Sequence, residues 1–165
     1  MTYDELAMEL ERLFPGVLEK ASPDDARELR SLVLPPELKD FYAKRGPNSE
    51  LAIGRFRMPT VAGLIDLNIW DETGEVLYGL GLSVAGRTAD GGYVCLDMAG
   101  TNNAGGNDVL LAPGDIDPTG MDLKKARAAM KFQASGLEEL LSKELGFCRK
   151  GRAVAERPPA VRPKR

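Results

Sequence analysis

The chain of 165 residues contains no histidine. That absence removes the Ser-His-Asp and Cys-His nucleophile systems, and the imidazole ligands on which most catalytic zinc sites depend. A catalyst built from this composition has to work with carboxylates, lysine, tyrosine or an unassisted cysteine. Cysteine is scarce as well. Cys95 and Cys148 stand far apart in no metal-binding spacing, and they read as reduced thiols of a cytosolic protein rather than as a disulfide frame. No apolar run approaches the ~20 residues needed to span a bilayer. The opening Met1-Thr2-Tyr3-Asp4-Glu5 is acidic and helical in pattern, the opposite of a secretory leader. The expectation is a cytoplasmic protein with no membrane association. Internal repeats are absent, and Gly79-Leu80-Gly81 lacks both the third glycine and the following helix of a dinucleotide fingerprint.

What is present is the composition of a globular domain, 43% hydrophobic and 28% charged. Its length suits one domain with a proper core. The net charge of −3 hides an asymmetry. Residues 149–165 hold seven Lys/Arg against the single acid Glu156, which leaves 15 Lys/Arg and 24 Asp/Glu for residues 1–148, a body of net −9. The division expected is therefore one domain over 1–148 and a basic, proline-bearing, disordered tail over 149–165. The tail offers charge without an aromatic residue or helical pattern, so no specific nucleic-acid site is expected in it. It reads first as a variable terminus without a task; folding back on the acidic body is another reading. An acidic body repels nucleic acid and attracts basic partners, although acidity also simply keeps a domain soluble.

Helical signals fill the first third. Thr2 and Glu5 make a capping box ahead of Leu6, Leu10 and Leu13, and Pro15-Gly16 ends that helix. Ser22-Pro23-Asp24-Asp25 starts a second helix, with Ala26, Leu29 and Val33 expected inward. The best-punctuated segment is Leu34 to Gly46: a proline pair in the opening turn, Leu38, Phe41, Tyr42 and the stem of Arg45 on one face, and Gly46 placed for a left-handed cap.

The middle changes period. Leu51–Met58 partly alternates and reads as a strand, with Arg55 and Arg57 sharing a face. Val61–Ile69 reads as another, from the alternation of Ile65, Leu67 and Ile69 with Asp66 and Asn68. Val76-Leu77-Tyr78 and Leu80-Gly81-Leu82 are weaker strands. Asp90-Gly91-Gly92 turns into Tyr93–Asp97, and the Gly/Asn-rich loop from Gly100 to Asn107 joins it to Val109-Leu110-Leu111 as an antiparallel hairpin. Helix returns at Leu123–Met130, and Ser135 with Glu138 opens a last helix carrying Leu137, Leu140, Leu141 and Leu145. This is an α+β pattern: a mainly antiparallel sheet of about five to six strands flanked by N-terminal and C-terminal helices, which cover one face and leave the other partly open.

The helix Pro23 to Leu32, the segment Leu34-Pro35-Pro36-Glu37-Leu38-Lys39-Asp40-Phe41, the strands around Asp90–Asp97 and Asp108–Leu110, and the closing Ala134–Leu141 follow one another as in the SUKH superfamily, the Smi/Knr-type domain. The chain resembles that superfamily over roughly residues 22 to 145. It departs after the third helix, where Gly46-Pro47-Asn48-Ser49 stands in place of the frequent Asn-Gly. The resemblance implies a binding module: bacterial members are mostly immunity proteins that neutralise a toxin domain, often a nuclease, and fungal relatives act as scaffolds or regulators. A basic toxin or other basic protein is the partner it implies, with no cofactor and no catalysis. An acidic body agrees with such a partner independently.

The residues placed for that contact are Trp70, Asp71, Glu72, Asp90, Asp97 and Asp108, all in or beside loops of the sheet. For Trp70 two readings stand, an interface anchor beside carboxylates or a ring packed at a strand end. Gly105–Leu110 resembles one turn of a calcium-binding glycine-aspartate repeat, but a single turn lacks the stacked second wall such sites need. No metal site is expected. A histidine-free metal enzyme using Asp97, Asp108 and Asp115 is the remote alternative, and a regulatory domain with a cellular partner the nearer one. Cys95, within an apolar strand, is expected to be buried and inert.

Overall fold

A computed structural model of the chain describes residues 1–155. Helix α1 (Tyr3–Leu13) opens on the expected capping box: Glu5 N–H donates to Thr2 Oγ1 at 3.1 Å, and Thr2 N–H to Glu5 Oε2 at 2.9 Å. It buries Leu6, Leu10 and Leu13, and the chain then enters β1 (Leu18–Glu19). Helix α2 (Pro23–Ser31) is capped by Ser22 and buries Leu29. Val33, expected inward, is 54% exposed. The helix stops at Ser31, Leu32 takes an extended conformation and turns in instead, and Val33 N–H donates to the Tyr78 hydroxyl while Val33 O accepts from the Ser83 hydroxyl.

Helix α3 (Pro36–Arg45) buries Leu38, Phe41 and Tyr42 as expected, while Arg45 pairs with Asp4 across to α1. Gly46 is not a left-handed cap. It has φ −73° and ψ 161°, and leads straight into β2 (Gly46–Pro47), which pairs antiparallel with β1. The site is crowded: a Cβ there would stand 3.0 Å from both the carbonyl oxygen and the ring of Tyr42, which would have to give way.

Leu51–Met58 is a hairpin rather than one strand, β3 (Leu51–Ile53) and β4 (Phe56–Met58), turning at Gly54-Arg55. Arg55 therefore sits in the turn and shares no strand face with Arg57. Val61–Ile69 and Val76-Leu77-Tyr78 are helical, in α4 (Val61–Ile69) and α5 (Glu72–Gly79). Thr60 caps the first through Gly63 N–H at 3.0 Å, and Asp71 the second through Gly74 N–H at 2.9 Å. The helical period of α4 was masked because its buried face, Leu64, Ile65 and Asn68, includes an amide.

Next come β5 (Leu82–Thr88), β6 (Tyr93–Asp97), β7 (Val109–Ala112), α6 (Leu123–Ala128), β8 (Lys131–Ala134) and α7 (Leu137–Ala155). The fold is α+β: a six-stranded antiparallel sheet in the order β3-β4-β5-β6-β7-β8, a second two-stranded sheet, and flanking helices. The expected hairpin β6–β7 is present, with Cys95 opposite Leu110. Strand β8, Lys131-Phe132-Gln133-Ala134, alternates over only four residues and leaves Phe132 exposed, too short a signal to register in the sequence.

Alternate residues divide the sheet. Val94, Leu96 and Val109 join the main core with Leu6 of α1, Leu38 of α3 and Leu141 of α7. Tyr93, Cys95, Leu110 and Ala112 face the other way, against Leu77 of α5, Ala126 of α6 and Ile116. The second face is thus covered, not partly open, because Val76-Leu77-Tyr78, read as a strand, lies in α5 and packs on it beside α6 and Ile116. At the start of α7, Glu139 rather than Glu138 receives the Ser135 hydroxyl, at 2.8 Å, while Glu138 accepts from Tyr3. Helix α7 continues past Cys148 to Ala155. The rest of the expected tail, 156–165, lies outside the described residues.

Candidate functional site

Trp70, the chain's one tryptophan, closes α4 as its C-cap and is 75% exposed. The packed-ring reading is excluded by that exposure. The two helices meet here at a sharp corner, whose inside is fixed by Asn68 and whose outside presents the indole. Asn68 is fully buried. Its Nδ2 donates to the carbonyls of Leu64 at 2.9 Å and Val84 at 2.8 Å, and its Oδ1 accepts from Val84 N–H at 2.7 Å. The amide thereby pairs the stretch of β5 that β4, in register only with Arg57↔Arg87 and Phe56↔Thr88, leaves open.

Beside the indole lies a cleft of about 520 Å³, with Glu50, Pro59, Asp66, Asp71 and Arg87 in its walls. Glu50, Asp66 and, on the first turn of α5, Glu72 are exposed. Arg87 is turned inward: its guanidinium stacks on the Tyr93 ring at 4.2 Å and donates to the carbonyls of Gly91 and Gly92. The surface around Trp70 therefore combines a bare aromatic face with several carboxylates and one occupied cation.

The other acids named from sequence serve the fold. Asp71 Oδ2 accepts from Gly74 N–H and, at 2.8 Å, from the Tyr93 hydroxyl; burial first, and then this carboxylate, raise the Tyr93 phenol above its ordinary range. Asp90 lies in the β5–β6 turn, where Thr88 Oγ1 and Gly92 N–H donate to it and lower its pKa, the hydroxyl most. Asp97, at the far end of β6, holds Arg127 of α6 in a two-point ion pair at 2.7 and 2.9 Å. Asp108 accepts from Asn102, the side chain that also ties the loop to Ser135 O at 2.8 Å. The structure therefore brings Trp70, Asp71 and Glu72 together and leaves Asp90 at one end of β6 and Asp97 with Asp108 at the other. Asp97, Asp108 and Asp115 form no metal-holding group, and no cluster of three or more Cys, Asp or Glu side chains arranged to hold an ion occurs among the described residues.

Sequence reasoning missed Glu50 and Asp66 as neighbours of Trp70. Asp66 precedes Trp70 by four residues, a signal that becomes visible only when the segment is read as a helix. Also missed was a groove of about 510 Å³ between α7 and the sheet, floored by Val94, Leu111 and Leu140 and edged by Arg55, Asp90, Lys131 and Glu144. Glu144 is 2% exposed, its carboxylate taking Arg55 N–H at 2.7 Å and the Arg55 guanidinium at 3.3 Å, which fastens α7 to the β3–β4 turn.

Cys95 is buried, as expected, and burial pushes its thiol from 9.0 up to about 12. Tyr42, wholly buried with its hydroxyl on Pro59 O, is raised beyond its ordinary range by the same cause. Both groups are neutral when folded and ionise more easily when unfolded. Their contribution to stability is therefore full below pH 9 and falls as pH rises toward 12. The expected result is that Ellman's reagent at pH 8 titrates Cys148 alone in the folded protein and both thiols in denaturant, and that urea midpoints decline progressively above pH 9. Equal reactivity of the two thiols in the folded chain would contradict the burial of Cys95.

No helix among the described residues is long and apolar enough to cross a membrane. No protein-family model, curated protein or solved structure matches the chain.

Proposed function

We propose that this chain is a non-catalytic protein-binding domain that captures a basic partner at the corner between α4 and α5, and that its partner is a bacterial toxin domain, as in the immunity-protein branch of the SUKH superfamily it resembles. One observation carries the binding reading. The single tryptophan is held 75% exposed in a cleft with Glu50 and Asp66, two residues from the exposed Glu72, by a corner whose inner amide is fully hydrogen-bonded. Such a ring loses water at no folding cost when a partner covers it, and tryptophan is the residue most often found to dominate interface energies. Its carboxylate surroundings, on a body of net −9, select cationic side chains, which stack on the indole face and pair with the acids. The same charge steers a nuclease-like basic surface toward the domain and away from nucleic acid.

The partner is identified by co-purification with the products of neighbouring genes, and the site by substitution within the resulting complex. Trp70→Ala is expected to weaken binding by about 2 kcal/mol or more, the threshold of a dominant interface residue. Glu72→Lys is expected to slow association and flatten its salt dependence, whereas Asp97→Asn, at the far end of β6, leaves affinity unchanged. Affinity indifferent to Trp70→Ala would remove this corner from the interface. Recovery of cellular proteins unrelated to toxins would retain the binding module and replace immunity with a regulatory role.

A further inference from the structure

Two aromatic rings of the fold already hold an arginine of the chain. The Arg87 guanidinium lies 4.2 Å from the centroid of the Tyr93 ring and donates to the carbonyls of Gly91 and Gly92. The Arg55 guanidinium lies 5.8 Å from the centroid of Phe147 and donates to the Glu144 carboxylate at 3.3 Å. Each pairs a guanidinium over a ring with oxygen acceptors for its N–H groups, and both cation–ring contacts among the described residues are made by arginine rather than lysine.

Trp70 offers these elements without the cation. Its ring is 75% exposed in a cleft of about 520 Å³ whose walls carry three carboxylates, Glu50, Asp66 and Asp71. Asp71 is engaged by Gly74 N–H and the Tyr93 hydroxyl. Glu50 and Asp66 are exposed, and among the described residues neither carboxylate has a hydrogen bond or an ion pair. The one cation in the walls, Arg87, is spent on Tyr93 and the two glycine carbonyls.

We propose that this cleft is an arginine subsite: it takes a single arginine side chain of the partner, with the guanidinium over the Trp70 indole and its N–H groups on Asp66 and Glu50, and it discriminates against lysine. This rests on the reading of the Trp70 corner as the contact for a basic partner, and it names the side chain that the corner reads. Asp66 lies on α4 and Glu50 on the loop before β3, so the two acceptors come from different elements. A guanidinium is flat, weakly hydrated and carries five donors in a fixed fork, so it keeps a face on a ring while its edge serves two carboxylates. An ammonium is a compact, strongly hydrated point charge with no flat face, and it pairs with either acid as it would anywhere on an acidic surface.

Trp70 is the only indole, so its Nε1–H gives a single side-chain resonance that reports on the cleft alone. The experiment titrates the full chain with acetyl-Gly-Arg-Gly-amide and, separately, with its lysine counterpart, at matched ionic strength, and follows that resonance. The peptides carry equal charge, so general attraction to the acidic body is common to both. The expected result is a saturable shift with the arginine peptide, at an affinity about fivefold or more above that of the lysine peptide. The preference disappears in Glu50→Gln/Asp66→Asn, whose two positions are exposed, and persists in Asp97→Asn at the far end of β6. Equal affinities for the two peptides overturn the proposal. So does the lack of a saturable shift with the arginine peptide, or a preference that survives in the double variant. The two readings fail separately. Partner affinity that depends on Trp70, with both peptides bound alike, sinks the subsite alone. An arginine preference at the indole, with partner affinity indifferent to Trp70→Ala, removes the corner from the partner's interface and leaves the subsite.

Discussion

Asn68→Ala is expected to lower the unfolding free energy by about 3–5 kcal/mol, with the urea midpoint falling accordingly. The substitution removes three hydrogen bonds at once, to Leu64 O and to the N–H and C=O of Val84, and leaves the two Val84 groups buried without a partner. Each orphaned backbone group costs about 1–3 kcal/mol, against a total stability of about 5–15 kcal/mol for a domain of this kind. Strand β5 is also the middle of the sheet, facing Leu77 on one side and the main core on the other, so loosening it reaches both cores. Asn68→Asp is the sharper test. An aspartate keeps an acceptor for Val84 N–H but sets carboxylate oxygen against the carbonyls of Leu64 and Val84, so it is expected to be at least as harmful as alanine at neutral pH. If Asn68→Ala unfolds within 1 kcal/mol of the parent, at about the worth of one exposed hydrogen bond, the bridging role assigned to this amide is wrong.

Gly74→Ala is the second large effect, and its sign runs against helix propensity. Alanine inside a helix is ordinarily favoured over glycine by about 1 kcal/mol. Here a Cβ would fall within the carbonyl oxygen of Leu67, the neighbouring backbone of α4, so the two helices have to part. Overpacking against backbone costs about 1–3 kcal/mol and can exceed that, and the expected net loss is ~3 kcal/mol. The displaced residue stands three positions from Asp71, whose carboxylate caps α5 through the Gly74 N–H. Stability is therefore not the only readout. Trp70 emission should shift even under conditions where the variant remains folded, since the corner that presents the indole opens. A stability gain, as propensity alone demands, would show that α4 and α5 are not held at this distance.

These two positions explain why an exposed tryptophan can persist. Asn68 and Gly74 fix the inside of the corner through the backbone, so the presentation of Trp70 needs no packing of the ring itself. A rigid support under an uncovered aromatic anchor lowers the ordering cost of binding, which agrees with the proposed capture of a basic partner.

The first helices, the β6–β7 hairpin and the apolar stripe of α7 were legible because each depends on short-range signals. Thr2 with Glu5, Ser22 with Asp25, and Leu137, Leu140, Leu141 and Leu145 act within a few residues of one another, and local chemistry decides them. Reading failed where a distant partner overrode the local signal. Val61–Ile69 alternates like a strand, yet it is a helix because its polar Asn68 is consumed by Val84, sixteen residues on. Gly46 has the sequence of a helix cap, yet β1 claims it as a strand. The acids divide the same way: composition made the body acidic, but it could not tell Asp71, Asp97 and Asp108, whose carboxylates are engaged by Tyr93, Arg127 and Asn102, from Glu50 and Asp66 in the Trp70 cleft and the exposed Glu72.

By itself, the sequence determined the α+β class, the acidic body with its basic extension, and a chemistry without imidazole, because these follow from composition and from contacts a turn or a hairpin apart. Only the tertiary structure decided that both sheet faces are covered, which carboxylates are spent on the fold, and that Trp70 faces water, because each depends on which backbone and side-chain groups meet across the chain, and a polar group is free for a partner only after the fold has satisfied its own.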